Sequence, residues 1–305
     1  MGMERKIKFG VIADPQYQDK DMDRLAHRDY RGALAKVREA VHFFNSIDDL
    51  DFVIVLGDLV DDSEMSFGSV MNEFKRLKLP FAIVPGNHDF KATNLDREKV
   101  RNGLKFDEMI SGIGATTHDE REMYYSFKMG GYRLVCLDTN SGVYERHDES
   151  AHDSPIENKI KADSPGIVYN LIPNHIWNGR VDKEQQGWLK NELAMAETTG
   201  ERVLVFSHAP FYPQIQDMVI NYREVLTILE RYKDVVVGCF AGHHHFGAFA
   251  QFARLGVDLR PIPFITFKGM VMEGENAFAV VAIDGENIKV QGFGRENSYQ
   301  VKNGF

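Results

Sequence analysis

"PFAIVPGNHD", residues 80–89, runs from an apolar stretch into proline, glycine and three polar groups in a row. Such a run, stopped by Pro-Gly, predicts a short strand buried on both faces, with the polar groups just past its carboxyl end. The same cadence recurs as "IKFGVIAD" (7–14), "DFVIVLGD" (51–58), "YRLVCLDTN" (132–140), "RVLVFSH" (202–208) and "VVVGCFAGHHH" (235–245). Helical patterns separate several of these strands. From Asp29 to Ile47 an apolar stripe recurs at three- and four-residue steps through Tyr30, Leu34, Val37, Val41 and Phe44. A second helix follows Asp182, which has capping-pair spacing to Gln185, and buries Trp188, Leu189 and Leu193; a third runs from Asn221 to Lys233. Near the end, "FITFKGMVM" and "NAFAVVAIDGENIKVQGFG" read as strands, the latter a hairpin turning at Asp284-Gly285. Strands alternating with helices, then a hairpin, predict an α/β fold with a mixed sheet or two packed sheets.

The 305 residues, 43% apolar and 27% charged, suit one large globular domain over 1–305 with no linker. A polar excursion from Ser141 to Gly179 is expected to be a loop or a rim over a site. A net charge of −9 argues against a nucleic-acid polymer as partner but leaves a small anionic substrate open, provided local cations reverse the field at one site. Cys136 and Cys239 sit inside apolar runs, as core residues do, and no run is long enough to span a membrane. With no signal-peptide pattern at the start, these features predict a cytoplasmic protein of unknown oligomeric state.

Each strand ends in groups that can bind a metal: Asp14 and Gln16, Asp58, Asn87 with His88 and Asp89, His208, then His243 to His245. In open α/β sheets the loops at the carboxyl ends of strands converge on one crevice, so groups distant in sequence can meet. Taken singly, each has an ordinary reading. Asp14 before Pro15 suits a turn, Asp58 a cap, and His208 a hydrogen-bonded structural histidine. Their recurrence at five strand ends, three of them bearing histidine, favours a shared site.

The set "AD-x-Q", "GD", "GNHD", "SH" and "GHHH" resembles the calcineurin-like metallophosphoesterases, whose pattern is D-x-H, GD-x-x-D, GNH-[DE], H and GH-x-H. The match follows family order from residue 14 to 245, and "GDLVDD" supplies Asp61 at the second acidic position. Gln16 departs from the pattern by replacing its first histidine. With "RDYRGAL" (28–34), "NGRVDKEQQGWL" (178–189), "NYREVL" (221–226) and "GMVMEGENAFAVV" (269–281), it is similar to the manganese-dependent ADP-ribose/CDP-alcohol diphosphatase branch.

The resemblance implies a four-layer α/β/β/α sandwich with two mixed sheets, and two divalent ions bridged by Asp58. Asp14, Gln16 and His245 would complete one ion's protein shell, and Asn87, His208 and His243 the other's. Carboxylate, amide oxygen and imidazole suit manganese, iron or zinc. An amide oxygen in place of imidazole at Gln16 makes its site harder, favouring exchangeable manganese. The implied reaction is attack by a metal-bridging hydroxide on the diphosphate of a small nucleotide derivative. The alternatives are a phosphodiesterase or phosphomonoesterase of the same superfamily, or a metal-free scaffold of the same fold. His88 is expected to contact the phosphate or protonate the leaving oxygen, or else to be an orienting residue paired with Asp61 or Asp89. Tyr17, Phe90, Phe211 and Tyr212 follow the donor motifs and are candidates for stacking on a base, and Arg28, Arg31 and Arg223 for holding a diphosphate. Alternation along an extended segment would turn His243 and His245 into the crevice and His244 away.

Overall fold

A computed structural model of the chain describes residues 6–119, 121–141, 176–253 and 260–302. Most of the polar excursion at 141–179 lies outside the described residues. Two mixed sheets form the centre. The first has the order β13-β12-β11-β1-β2-β3, where β1 is Lys6–Ile12, β2 Phe52–Val55, β3 Phe81–Ile83, β11 Ala277–Asp284, β12 Asn287–Gly294 and β13 Tyr299–Val301. The second has the order β4-β5-β6-β7-β8-β10-β9. Its strands are β4 Thr116–Thr117, β5 Tyr125–Met129, β6 Tyr132–Leu137, β7 Arg202–Ser207, β8 Val236–Ala241, β9 Ala248–Phe252 and β10 Ile262–Thr266.

Side-chain alternation explains why β6 and β7 carry apolar residues on both faces. Leu134, Cys136, Leu204 and Phe206 point into the core shared with the first sheet, while Val135, Leu137, Val203 and Val205 point into an outer core. Phe9 of β1 meets Phe206 and Phe240 edge-on at 5.6 and 5.7 Å, so the sheets pack face to face. Both cysteines are free and buried.

Helices cover the two outer faces. On the first sheet lie α1 (Ala33–Phe44) and α2 (Ser66–Phe74); on the second lie α6 (Lys183–Thr199) and α7 (Tyr222–Arg231). Short helices α3 (Asn87–Ala92), α4 (Arg97–Gly103) and α5 (Phe106–Gly112) fill the connection after β3. This is the four-layer sandwich. Gly10 lets α1 sit close to its sheet, since a Cβ there would come within 2.8 Å of the Phe44 ring.

Helix α1 starts later than its apolar stripe suggests. Asp29 Oδ1 accepts from Gly32 N–H at 3.0 Å, and this turn precedes the helix. At α6, Asp182 caps Gln185 N–H at 2.7 Å as its spacing predicts. The Gln185 side chain does not reach back, however, but holds Asp138 and Ser141 instead. Asn221 begins α7 by bonding the Val181 backbone in both directions. The hairpin turn at Asp284-Gly285 forms, with Gly285 at φ 61°.

Candidate metal centre and its pocket

Strands β1, β2 and β3 run parallel, as do β6, β7, β8 and β10, so their carboxyl ends gather at one edge of the sandwich. The donors follow β1, β2, β3, β7 and β8 directly. Asp14, Gln16, Asp58 and His243 all have positive φ, from 43 to 65°, although none is glycine. Such conformations cost an L-residue about 1 kcal/mol or more each and persist only where surrounding bonds hold them. Those bonds are visible. Gln16 N–H donates to Asp58 O at 2.8 Å, and His243 N–H donates to the Asp14 carboxylate at 2.9 and 3.1 Å. Gly86 is the close-approach residue, because a Cβ there would fall 2.1 Å from Asp58 Oδ1.

Around Asp58 the side chains form a cluster of acceptors. His208 Nδ1 donates to the Leu56 carbonyl at 2.7 Å, so the neutral ring turns its Nε2 lone pair toward Asn87 Oδ1 at 2.9 Å and Asp58 Oδ2 at 3.4 Å. Three acceptors at these distances need a proton or a cation between them. Burial opposes charging the ring, but Asp58 outweighs it and raises His208 to about 9. Asp58 itself is held well below the ordinary carboxylate range: burial works against this, and His208 and His88 overcome it. His243, whose ring centre is 4.8 Å from that of His208, is pushed down to about 3 by burial and by that neighbour, so it stays neutral with a lone pair to offer.

Within this donor cluster two buried atoms have no hydrogen-bond partner among the described residues: Gln16 Oε1 and His243 Nε2. The Gln16 amide donates through Nε2 to Asp58 Oδ2 at 3.0 Å, which leaves its oxygen as the unsatisfied end. His245 Nε2 stands 3.6 Å from Asp14 Oδ1. Donor atoms of Asp58, His208 and His243 all lie within 4.8 Å of one another. This inventory of carboxylate, amide and imidazole donors fits borderline divalent ions, and a cation would satisfy both orphaned atoms.

His88 Nδ1 faces Asp61 Oδ1 at 2.9 Å and Asp62 Oδ1 at 3.7 Å. Burial disfavours its charge, yet Asp58, Asp61 and Asp62 raise it to about 10. Lys20 and Lys91 complete this network by pairing with Asp61 and Asp62. Asp89 has a different task. Its fully buried carboxylate accepts from Leu59, Val60 and Gly86 N–H at 2.8, 3.3 and 2.9 Å, tying the Asp58 loop to the Asn87 loop.

A cavity of about 760 Å³ opens above these groups, with Gln16, Asp58, Asn87, His88, His243 and His245 in its lining. Of the side chains expected to contact substrate, Arg28 lines it, but the others need correction. Phe90 and Phe211 are fully buried, and Tyr212 packs edge-on against Phe252 and Phe264. Tyr17 packs against the inner core. Each gains more by burying its ring than by standing at the mouth. Arg223 bonds the neighbouring Tyr222 hydroxyl, and Arg31 pairs with Asp19 and Asp21 on the surface. The lining instead includes Leu25, His27, Lys91, Trp177, Asp217 and Phe246, none of which the motifs single out. Trp177, an aromatic at the edge of a polar stretch, and Phe246, next to the histidines, carried a faint signal; Asp217 carried none.

The three histidines also separate for a different reason than alternation. Gly242 O accepts from His244 N–H at 2.7 Å around His243 at φ 65°, a tight turn rather than extended chain. His244 leaves the donor cluster and its Nδ1 donates to Asp217 Oδ2 at 2.6 Å.

Comparison with known proteins agrees with this architecture. The family model described as Calcineurin-like phosphoesterase matches residues 7–247. The chain belongs to the calcineurin-like phosphoesterases. As a member of this family it is a metal-dependent hydrolase of phosphoric esters or anhydrides, served by divalent ions. It is 29% identical over 322 residues to the manganese-dependent ADP-ribose/CDP-alcohol diphosphatase of Mus musculus, covering 96% of this chain and 92% of that protein. The Oryza sativa protein of the same name is 30% identical over 272 residues, 80% of this chain and 79% of its own length. Among solved structures, a dimetal phosphatase from Danio rerio superposes with a TM-score of 0.77 at 24% identity, over 98% of this chain and 99% of that one. Among the described residues no helix is long and apolar enough to cross a membrane.

Proposed function

We propose that this phosphoesterase is a manganese-dependent diphosphatase that cleaves the anhydride of small nucleotide derivatives of the ADP-ribose or CDP-alcohol type. The observation that carries the reading is the acceptor cluster around Asp58, with its two orphaned donor atoms, at the base of a cavity the size of a nucleotide-derivative site. The relatives' names supply the substrate class.

In this reading Asp14, Gln16 and His245 would hold one ion and Asn87, His208 and His243 the other, with Asp58 shared between them. A bound pair of divalent ions supplies Lewis acidity and lowers the pKa of water for in-line attack at phosphorus. The chain does the rest. The charge of Asp58 would offset the repulsion between two neighbouring cations. Gln16 gives one site an oxygen donor in place of imidazole, which favours manganese over zinc or iron. His88, charged and held by Asp61 and Asp62, donates a hydrogen bond to the phosphate or a proton to the leaving oxygen. Arg28 and Lys91 supply positive charge to the diphosphate.

The test is product analysis after chelation and reloading with Mn²⁺. A diphosphatase releases AMP from ADP-ribose and CMP from a CDP-alcohol, with no orthophosphate. Orthophosphate release from monoesters, or cleavage of simple diesters alone, would instead favour the phosphomonoesterase or phosphodiesterase alternatives. Recovery of activity with Zn²⁺ but not Mn²⁺ would refute the metal assignment.

A further inference from the structure

A second cavity, of about 520 Å³, adjoins the first and shares His27, His245, Phe246 and Met272 with it. His245 also stands beside Asp14 in the donor cluster, so the two chambers meet at the candidate metal centre. What the second chamber adds is positive charge. Its lining brings in Lys268, just past β10, and Arg295, just past β12.

Both cations are held by neutral oxygens rather than by carboxylates. Arg295 Nε donates to Glu275 O and its Nη2 to Gly269 O, each at 2.8 Å, while Lys268 Nζ donates to Arg295 O and to Asn297 Oδ1. The Lys268 stem crosses Gly247, where a Cβ would come within 2.9 Å of its Cγ. Among the described residues neither cation closes an ion pair with a carboxylate, whereas Lys91, on the lining of the first cavity, is paired with Asp62. The neighbouring acids are engaged elsewhere. Glu273 faces His27 Nδ1 at 3.2 Å, and Glu296 accepts from the backbone N–H groups of Lys268 and Asn297 at 2.7 and 2.8 Å. A chain of net charge −9 thus sets two fixed, unpaired cations, each with N–H groups to spare, in a chamber that opens on its metal centre.

Donors already fixed by the fold lose little freedom when an anion arrives, and a phosphate can take charge-assisted bonds from arginine and lysine together. We propose that this chamber is a subsite for a further phosphomonoester, carried on the ribose of the nucleotide whose diphosphate lies at the metal centre. A 2′- or 3′-phosphate stands one sugar ring away from the diphosphate, and the two chambers are separated by one side chain, His245. The subsite deepens the diphosphatase reading and rests on it for its place in catalysis. Within that substrate class it favours nucleotide derivatives phosphorylated at the 2′ or 3′ position.

The test compares AMP with adenosine 2′,5′-bisphosphate and adenosine 3′,5′-bisphosphate, each bound to the full-length Mn²⁺-loaded protein and measured by calorimetry. At least one bisphosphate is expected to bind wild type about tenfold more tightly than AMP. An added phosphate also strengthens contact with the metal ions, so Lys268 variants decide where it sits. Lys268→Gln, which keeps a donor for the Arg295 carbonyl, is expected to bring the ratio to within about twofold, and Lys268→Arg to preserve it. Equal affinities for all three ligands in wild type, or an unchanged ratio in Lys268→Gln with normal circular dichroism and Mn²⁺ uptake, would overturn the proposal. Binding does not depend on turnover. If neither ADP-ribose nor a CDP-alcohol is hydrolysed while the ratio and its dependence on Lys268 hold, the diphosphatase reading fails and the subsite stands; hydrolysis without that ratio has the opposite meaning.

Discussion

Asp89→Asn tests how the donor loops are held. Burial, with the Asp58 charge beside it, pushes Asp89 up to about 7, so at pH 8 the carboxylate is ionised and all three of its N–H donors are satisfied. Asparagine has nearly the same shape. Its remaining oxygen can keep Leu59 and Val60, but its NH₂ then faces Gly86 N–H across the 2.9 Å now spanned by a hydrogen bond. A charge-assisted bond is worth roughly 1.5–3 kcal/mol, and leaving a buried N–H unpaired costs about 1–3 kcal/mol. The expected loss, discounted for relaxation, is about 3 kcal/mol. Urea unfolding at pH 8 in chelator should show this as a midpoint lower by roughly 1–2 M at unchanged slope. Because Asp89 joins the loops bearing Asp58 and Asn87, Mn²⁺ affinity measured by calorimetry should fall as well. A midpoint and Mn²⁺ affinity equal to wild type would mean that Asp89 is a neutral acid already and that the loops are held by something else.

Three further outcomes follow from the geometry. His88→Asn should lower turnover by about 10²–10⁴ while metal analysis still finds two ions; loss of metal would make His88 an orienting residue instead. Gln16→His should shift competition between Mn²⁺ and Zn²⁺ toward zinc, measured by metal content after equilibration with both; an unchanged ratio would free Gln16 of any part in metal choice. Remote from the site, Glu73 is lowered by its bonds from Arg38, against burial, with Arg76 assisting. A carboxylate depressed on folding adds stability that is present above its unfolded pKa and lost as pH falls through the folded one. Glu73→Gln should therefore cost about 1 kcal/mol at pH 7 and progressively less below about pH 4.5, as read from paired urea titrations.

What was legible in the sequence followed from chemistry that coincides with chain position. Donors at strand ends are visible because an apolar run must stop where the chain leaves the sheet, and Asp14, Asp58, Asn87, His208 and His243 stand at such stops. The outer helices were visible in their stripes, and their ends less so. Asp29 reads as the first helical residue until its side chain closes a turn on Gly32. The aromatics misled because a ring after a donor has two destinations of opposite meaning. Phe90 and Phe211 take the core; Phe246, after His245, stays exposed.

The cavity wall was illegible for a deeper reason. Trp177, Asp217 and Phe246 come from three segments, and what joins them is a set of tertiary hydrogen bonds from Asn178 and His244. No local pattern encodes such bonds. The triple histidine shows both kinds of information in three residues. The outer pair can be paired off by a spacing rule, yet their separation from His244 is produced by a tight turn at His243, whose positive φ is held by the Asp14 carboxylate on its backbone N–H. Asp14 thus shapes the turn that presents His243 and stands beside His245 as well. Substituting it would disturb the donor cluster through the backbone as much as through its own oxygens, which is why a ligand count taken from motifs understates what each ligand does.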